Sequence, residues 1–334
     1  MRVVIALGGN AMTAPDGSAA PTAQRQAVEE AAPALAAIVQ AGHDLVITHG
    51  NGPQVGNLLV KNELAAHVVP PVPLDWCGAQ TQGTIGALLL DALDVELARR
   101  GVHRRVAAVV TRTLVDGADP GFTHPSKPIG RYLPAAEAAA LMAHGQVWSD
   151  RGERGWRRVV ASPEPLEMLD VAAAKVLLDN GFVVVCAGGG GIPTIREPGA
   201  DGDRTGRLVG VEAVIDKDLT AAAVAIGLHA DMLVIATDVD HAVVGYGGPA
   251  PQPLGSVSPA RLRAYAAQGQ FGGGSMGPKV DAVCRFVEAT GRRAAITSLH
   301  RITDAVAGTA GTQVIPTQVT PTQVIPAPEP APNL

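Results

Sequence analysis

The sequence predicts an α/β protein built on a mostly parallel open sheet with helices on both faces. Short apolar runs of strand length alternate with stretches whose apolar residues recur at helical spacing. Glycine-rich segments follow three of those apolar runs, where parallel strands hand over to helices and where ligands of open α/β sheets bind. The composition is aliphatic: 47% of residues are hydrophobic but only 3% aromatic, so the core must be packed aliphatic layers rather than large rings.

The elements follow in order. Val3–Leu7 is the first strand, and Gln24–Gln40 is a helix through Val28, Ala31, Leu35 and Ile38, with Gly42 placed to end it. Leu45–Thr48 is the next strand. A long helix runs from Asp75 to Arg100, closed by Gly101, and Val106–Thr111 follows as a strand. Further on, the pattern predicts a helix over 166–180 ending before Gly181, a strand over 182–186 and a helix over 219–227. A strand over 232–236, a helix over 278–290 and a strand over 294–297 complete the alternation.

Two stretches break the rhythm. Residues 116–162 are polar and turn-rich, with four prolines and both Trp148 and Trp156, and read as an inserted subdomain standing off the sheet. The other is the tail, where TQVIP, TQVTP and TQVIP run in tandem from Thr312 to Pro326 and PAPEPAPNL closes the chain. The first copy follows Gly311 and can form a last strand. Proline at every fifth residue bars the later copies from a sheet ladder, so residues 317–334 read as an extended, disordered tail after a domain of residues 1–316.

A formal net charge of −5 argues against a nucleic-acid or anionic-membrane partner, so any anionic ligand must be met by a few local cations. Cys77, Cys186 and Cys284 are widely spaced in apolar contexts and fit neither a disulfide framework nor a zinc site. No apolar run approaches the roughly 20 residues needed to span a bilayer. The chain begins directly on a strand without a charged leader, and the expectation is a soluble, cytoplasmic protein.

The first strand runs into Gly8, Gly9 and Asn10, a phosphate-loop-like start that lacks the lysine a P-loop carries. Similar glycine-rich ends occur at THGNGPQVG, residues 48–56, and CAGGGGIP, residues 186–193. Each alone reads as a tight turn; three on one sheet edge read as a ligand site. Asn10 and Asn51 suit a small polar substrate, since an amide both donates and accepts. His49 is a candidate general acid, though a neutral histidine packed under its loop fits better.

Only five lysines occur, so the positive charge can be traced. Lys61 and Lys175 lie within helical patterns and read as solvated. Lys127 sits in HPSKPIG, in the inserted subdomain. Lys217 sits in VIDKDLT and Lys279 in GGGSMGPKV, both at helix starts, where ammonium groups add to the partial positive charge of the helix end. Asp216 and Asp218 bracket Lys217 and can hold ammonium groups in place, cap the helix, or both. Asp238 and Asp240 of IATDVDH can meet a nucleotide or its Mg²⁺, or cap a turn. A metal site made by protein alone is not expected, because Mg²⁺ keeps waters and substrate phosphates as ligands.

Taken together, ALGGNA, THGNGPQVGNLL, CGAQTQGTIG, SKPIG, RGWRRVVASPEP, CAGGGGIP, GVEAVIDKDLTAA, IATDVD, GSMGPKV and AAITSL resemble the carbamate kinases of the amino acid kinase superfamily. The resemblance runs in order from Val3 to about Ile315. GGN without a lysine, combined with SKPIG, sets carbamate kinases apart from the acetylglutamate, aspartate and uridylate kinases of that superfamily. It implies a three-layer αβα sandwich with a protruding subdomain, acting as a homodimer. It implies reversible phosphoryl transfer between carbamoyl phosphate and ADP, giving ATP and carbamate, with Mg²⁺ carried by the nucleotide.

Carried over position by position, Gly8, Gly9, Asn10, Gly50, Asn51 and Gly52 would hold the phosphate and carbamoyl group. Lys127 would reach the transferring phosphoryl group from the subdomain. Lys217 and Lys279 would neutralise phosphate oxygens, with Asp218 orienting the lysines. Gly189, Asp216, Thr237, Asp238 and Met276 would bind the nucleotide. The stretch IREPGADGDRTGRL, residues 195–208, is longer and more polar than this loop usually is, and the repeat tail has no counterpart in the family. A relative with another acceptor, or a silent sensor on the same fold, are the competing readings; the sensor is disfavoured because every site lysine is present. A dinucleotide dehydrogenase is excluded, since GGNA lacks the GxGxxG spacing and no acidic residue follows the second strand.

Overall fold

In the computed structural model, residues 1–8, 20–197, 206–271 and 275–316 are described. Gly9 and Asn10, the centre of the 195–208 stretch and the tail beyond Pro316 lie outside them. The main sheet has eight strands: β1 (Arg2–Leu7), β2 (Asp44–His49), β3 (Val106–Ala108), β9 (Val183–Val185), β12 (Met232–Thr237), β15 (Ser256–Val257), β16 (Arg293–Ser298) and β17 (Thr312–Val314). They lie in the order β15-β17-β16-β12-β1-β2-β9-β3. Neighbours are parallel except β16 and β17.

β1 is buried on both faces, as a central parallel strand must be. Its residues alternate between two cores: Val4 and Ala6 face one, Val3, Ile5 and Leu7 the other. The first core is closed by α6 (Val171–Asp179), α7 (Lys217–Gly227), α8 (Pro259–Ala267) and α9 (Met276–Thr290). The second is closed by α1 (Pro21–Gln40), α3 (Leu74–Arg99) and α10 (Ile302–Ala307). This is the αβα sandwich. Because β12, β1, β2 and β9 are adjacent and parallel, the segments after Leu7, His49, Val185 and Thr237 all emerge at one sheet edge.

A second sheet, in the order β11-β10-β4-β8, joins β4 (Arg112–Leu114), β8 (Glu167–Met168), β10 (Ile192–Arg196) and β11 (Leu208–Gly210). Within 116–162, β5 (Lys127–Leu133), β6 (Val147–Asp150) and β7 (Trp156–Val160) form a three-stranded antiparallel sheet in the order β5-β7-β6. The short α4 (Pro120–Thr123) precedes it, and α5 (Ala135–Met142) helps cover a small core of Leu133, Ala138 and Trp148. The helix α2 (Gly52–Ala65) packs against β5 and carries the subdomain. A two-stranded hairpin of β13 (Val243–Val244) and β14 (Gln252–Pro253) completes the strands.

Several expectations shift. The helix expected over 166–180 begins only at Val171, because Glu167–Met168 pairs with β4 and Met168 is buried there while Leu166 is exposed. The strand expected over 106–111 ends at Ala108. The Gln82 side chain then takes both backbone groups of Thr111, at 2.8 and 3.1 Å, and turns the chain into the second sheet. Residues 52–56, read as part of a glycine-rich loop, open α2, with Pro53 in the first turn where a missing N–H costs nothing.

The first tail copy does form the last strand. Gly311 enters it with φ +77, and a Cβ there would stand 2.7 Å from the Ile296 carbonyl oxygen, so glycine is required. Thr312, fully buried, accepts the Ala242 N–H at 2.9 Å and donates to the Leu254 carbonyl at 2.6 Å. Thr312→Val removes the hydroxyl at nearly constant shape, leaves the Ala242 N–H and the Leu254 carbonyl without it, and should lower the urea-unfolding free energy by about 1–3 kcal/mol. An unchanged midpoint and slope would contradict this account of how the sheet edge closes.

Candidate active site

Five of the expected residues converge where α7 and α9 begin. The helices pack against each other, which brings their N-termini together. Asp216 is the N-cap of α7: its Oδ1 accepts the Asp218 and Leu219 N–H groups at 2.9 and 3.3 Å. Its Oδ2 accepts Lys127 Nζ at 2.7 Å, from a strand 89 residues away. Asp218, in the first turn of α7 and 3% exposed, accepts Lys217 Nζ on Oδ1 at 2.6 Å and Lys279 Nζ on Oδ2 at 3.0 Å. Lys279, 4% exposed, also donates to the Ser275 carbonyl at 3.2 Å.

Three ammonium groups against two carboxylates leave one formal positive charge, beside two helix N-termini that add partial positive charge of their own. The three ammonium groups come from three segments far apart in the chain. Burial alone would push the Asp216 carboxyl up, but the Lys127 ammonium and the N–H groups it caps hold it below the usual carboxylate range. Of the alternatives open for the two aspartates, Asp216 does both tasks and Asp218 serves the lysines.

Gly8, at the end of β1, lies beside Ala236 of β12, and Gly50 N–H donates to the Leu7 carbonyl at 3.1 Å. Asn51 Nδ2 donates to Thr81 Oγ1 at 2.8 Å, which fixes its amide. Beside Asn51 and Gly52 lies a small cavity of about 30 Å³, reached also by Val55, Gly78, Ile129 and Gly189. A second cavity, of about 210 Å³, is lined by Asp238, His241, Tyr246, Phe271, Ser275 and Met276. Ser275 joins the two regions, lining this cavity while its carbonyl holds Lys279. Thr237 donates to Asp238 Oδ1 at 2.9 Å at the end of β12.

Two residues expected to meet the nucleotide, Gly189 and Asp216, do not line this second cavity. Gly189, with φ +64, packs on the Asn51 amide so closely that a Cβ would overlap it, and it lines the small cavity rather than the larger one. The reason is that Ala187, at φ +52, turns the loop back over His49 and Asn51, and the Gly190 carbonyl is then fixed by Thr113 and Thr220 hydroxyls at 2.7 and 3.2 Å. Asp216 is taken up by Lys127 and the helix cap. Tyr246, Phe271, Ser275 and Thr81 were not singled out from the sequence. The scarcity of aromatics was the available signal: of three Tyr and four Phe, one of each lines the larger cavity.

His49 is buried and packs under the loop, with Nδ1 2.9 Å from the Gly50 carbonyl. Desolvation lowers its pKa to about 4, only partly offset by that hydrogen bond, so it is neutral at pH 7 and not a general acid. Burial likewise pushes the Cys186 thiol, at the end of β9, up to about 12. Among the described residues no group of three or more His, Cys, Asp or Glu is arranged to hold a metal ion, and no helix is long and apolar enough to cross a membrane.

A family model described as the amino acid kinase family matches residues 1–298. The chain is 45% identical over 320 residues to carbamate kinase of Thermococcus kodakarensis, covering 94% of this chain and 99% of that protein. It is 41% identical over 318 residues to carbamate kinase 1 of Enterococcus faecium, with 93% and 99% covered. Among solved structures, carbamate kinase from Giardia lamblia bound to AMP-PNP superposes with a TM-score of 0.87 at 42% identity, covering 95% of this chain and 98% of that one.

The neutral His49 sets a pH dependence of stability. Its folded pKa lies below the unfolded value, so the unfolded chain binds the extra proton as pH falls below about 6.5 and stability declines toward pH 4. Relative to His49→Asn, the wild type should lose about 2 kcal/mol of unfolding free energy between pH 7.5 and pH 5. Parallel losses in the two proteins would show that His49 is not buried neutral.

Proposed function

The chain belongs to the amino acid kinase family, in its carbamate kinase group, and from that premise we propose that it catalyses the Mg²⁺-dependent, reversible transfer of a phosphoryl group from carbamoyl phosphate to ADP. The products are ATP and carbamate, which decays to ammonia and bicarbonate. The observation that carries this reading is the lysine–aspartate cluster, whose Lys279 is held by the carbonyl of Ser275 at the wall of the cavity lined by Met276.

Carbamoyl phosphate would sit at the Gly8 and Gly50–Gly52 side, with Gly9 and Asn10 completing its surroundings. ADP would occupy the larger cavity, its base against Tyr246, Phe271 and Met276 and its phosphates toward Lys217 and Lys279. In the transfer, the bond between phosphorus and the carbamoyl oxygen breaks, and a bond from phosphorus to a terminal β-phosphate oxygen of ADP forms.

Both the attacking and the leaving oxygen are anionic at neutral pH, so no proton has to move and no general base is required. The work is positioning and neutralisation of charge on the transferring group. Lys217 and Lys279, held by Asp218, meet the phosphate oxygens from the nucleotide side, and Lys127 meets the transferring group from the subdomain. Asp216 and Asp218 are both engaged by ammonium groups, and Asp238, which accepts the Thr237 hydroxyl, is the carboxylate among the residues lining the nucleotide cavity. Mg²⁺ would therefore arrive with the nucleotide's phosphates, supplying further neutralisation, with Asp238 on hand at the cavity wall.

The same proposal takes residues 1–316 as one kinase domain bearing the 116–162 subdomain, in a cytoplasmic homodimer. Trp76 and Val95 on α3 and Val110 after β3 are among the exposed large apolar side chains of the protein. Sedimentation at a monomer mass of 34.0 kDa would count against the dimer.

Purified protein given ADP, Mg²⁺ and carbamoyl phosphate should form ATP in a coupled assay; none above the uncatalysed background would refute the reading. Lys217→Met leaves Asp218 its second partner, Lys279, so the fold is retained while one phosphate donor is lost. Its kcat should fall about 10²–10³-fold, as for removal of one transition-state donor.

A further inference from the structure

Asp216 has a task that neither the helix cap nor a nucleotide contact explains. Among the described residues, two ion pairs tie β5 of the subdomain to the body. Arg131 reaches Glu63 of α2 at 3.3 Å on the surface, and Lys127 reaches Asp216 at 2.7 Å over the site. The second is the more enclosed, with the Asp216 side chain 13% exposed. Its geometry is also fixed from below. Oδ1 is held by two backbone N–H groups of the first turn of α7, so Oδ2 offers a stationary point to which the Lys127 ammonium is drawn. That point is one residue from Lys217 and two from Asp218, the residue that holds the other two ammonium groups.

We propose that Asp216 is a positioning residue for the transfer: its carboxylate holds the Lys127 ammonium against the start of α7, so that the third cation is in place before the anionic substrate arrives. An ammonium has three donors, and one spent on Asp216 leaves two for phosphoryl oxygens. Without that anchor, a four-carbon stem on the rim of an inserted subdomain would have to be ordered in every turnover. The inference rests on the reading of Lys127 as a group that meets the transferring phosphoryl.

Asp216→Asn separates the two tasks of this side chain, because asparagine caps helices as well as aspartate does but offers the lysine no charge. The thermal midpoint should stay within about 2 °C of wild type. kcat should fall about 10- to 100-fold with KM for ADP nearly unchanged, and the same substitution in a Lys127→Met background should change kcat less than about twofold. A purely structural Asp216 would instead lower the midpoint and cost the same factor in both backgrounds, which overturns the inference. So does a wild-type kcat for Asp216→Asn beside an impaired Lys127→Met. A fully active Lys127→Met is the distinct result that removes the premise itself, and with it the role given to Lys127 under the proposed function.

Discussion

Asp218 is the constraint on which the rest of the site depends. Two like charges about 4 Å apart repel by about 4 kcal/mol at an effective dielectric of about 20, and more where water is excluded. A formal charge of −5 spread over the whole chain does not cancel that repulsion at one point. The cancellation must be local, with carboxylates interleaved among the lysines. Asp218 takes Lys217 and Lys279 on its two oxygens, and Asp216 takes Lys127, so each ammonium gains a partner while the cluster keeps one formal positive charge. Burying Lys279 at 4% exposure is tolerable only because Asp218 and the Ser275 carbonyl are both within reach.

The fold exists to bring these groups together from far apart in the chain. Adjacent parallel strands deliver the ends of β12, β1, β2 and β9 to one edge, and alternating side chains lock β1 between two aliphatic cores. Packing α7 against α9 superimposes two helix N-termini, each starting with or near a lysine. The inserted three-stranded sheet, carried on α2, adds the third lysine from above. Backbone and amides at Gly8 and Gly50–Asn51 then need to contribute shape but no charge.

Much of this was legible in the sequence, for physical reasons that differ by element. Buried parallel strands such as 232–237 are continuous apolar runs, and α1 and α3 show sustained helical spacing, so both announce themselves. The lysines stood out because there are only five. Other features depend on tertiary partners that no local pattern records. β8 is a strand because β4 lies beside it, although its residues continue a helix-like run. Gly189 lies by Asn51 because a left-handed Ala187 reverses its loop. The division of labour between Asp216 and Asp218 follows from which lysine each can reach, a distance spanning 89 residues in one case.

The central claim concerns the path of one phosphorus atom. ³¹P NMR of the enzyme with carbamoyl phosphate, ADP and Mg²⁺ follows it directly. The account predicts that the carbamoyl phosphate signal declines as the γ-phosphate signal of ATP grows in equal amount, faster than carbamoyl phosphate decays without enzyme. Loss of carbamoyl phosphate only to inorganic phosphate, at the rate seen without enzyme, would contradict it.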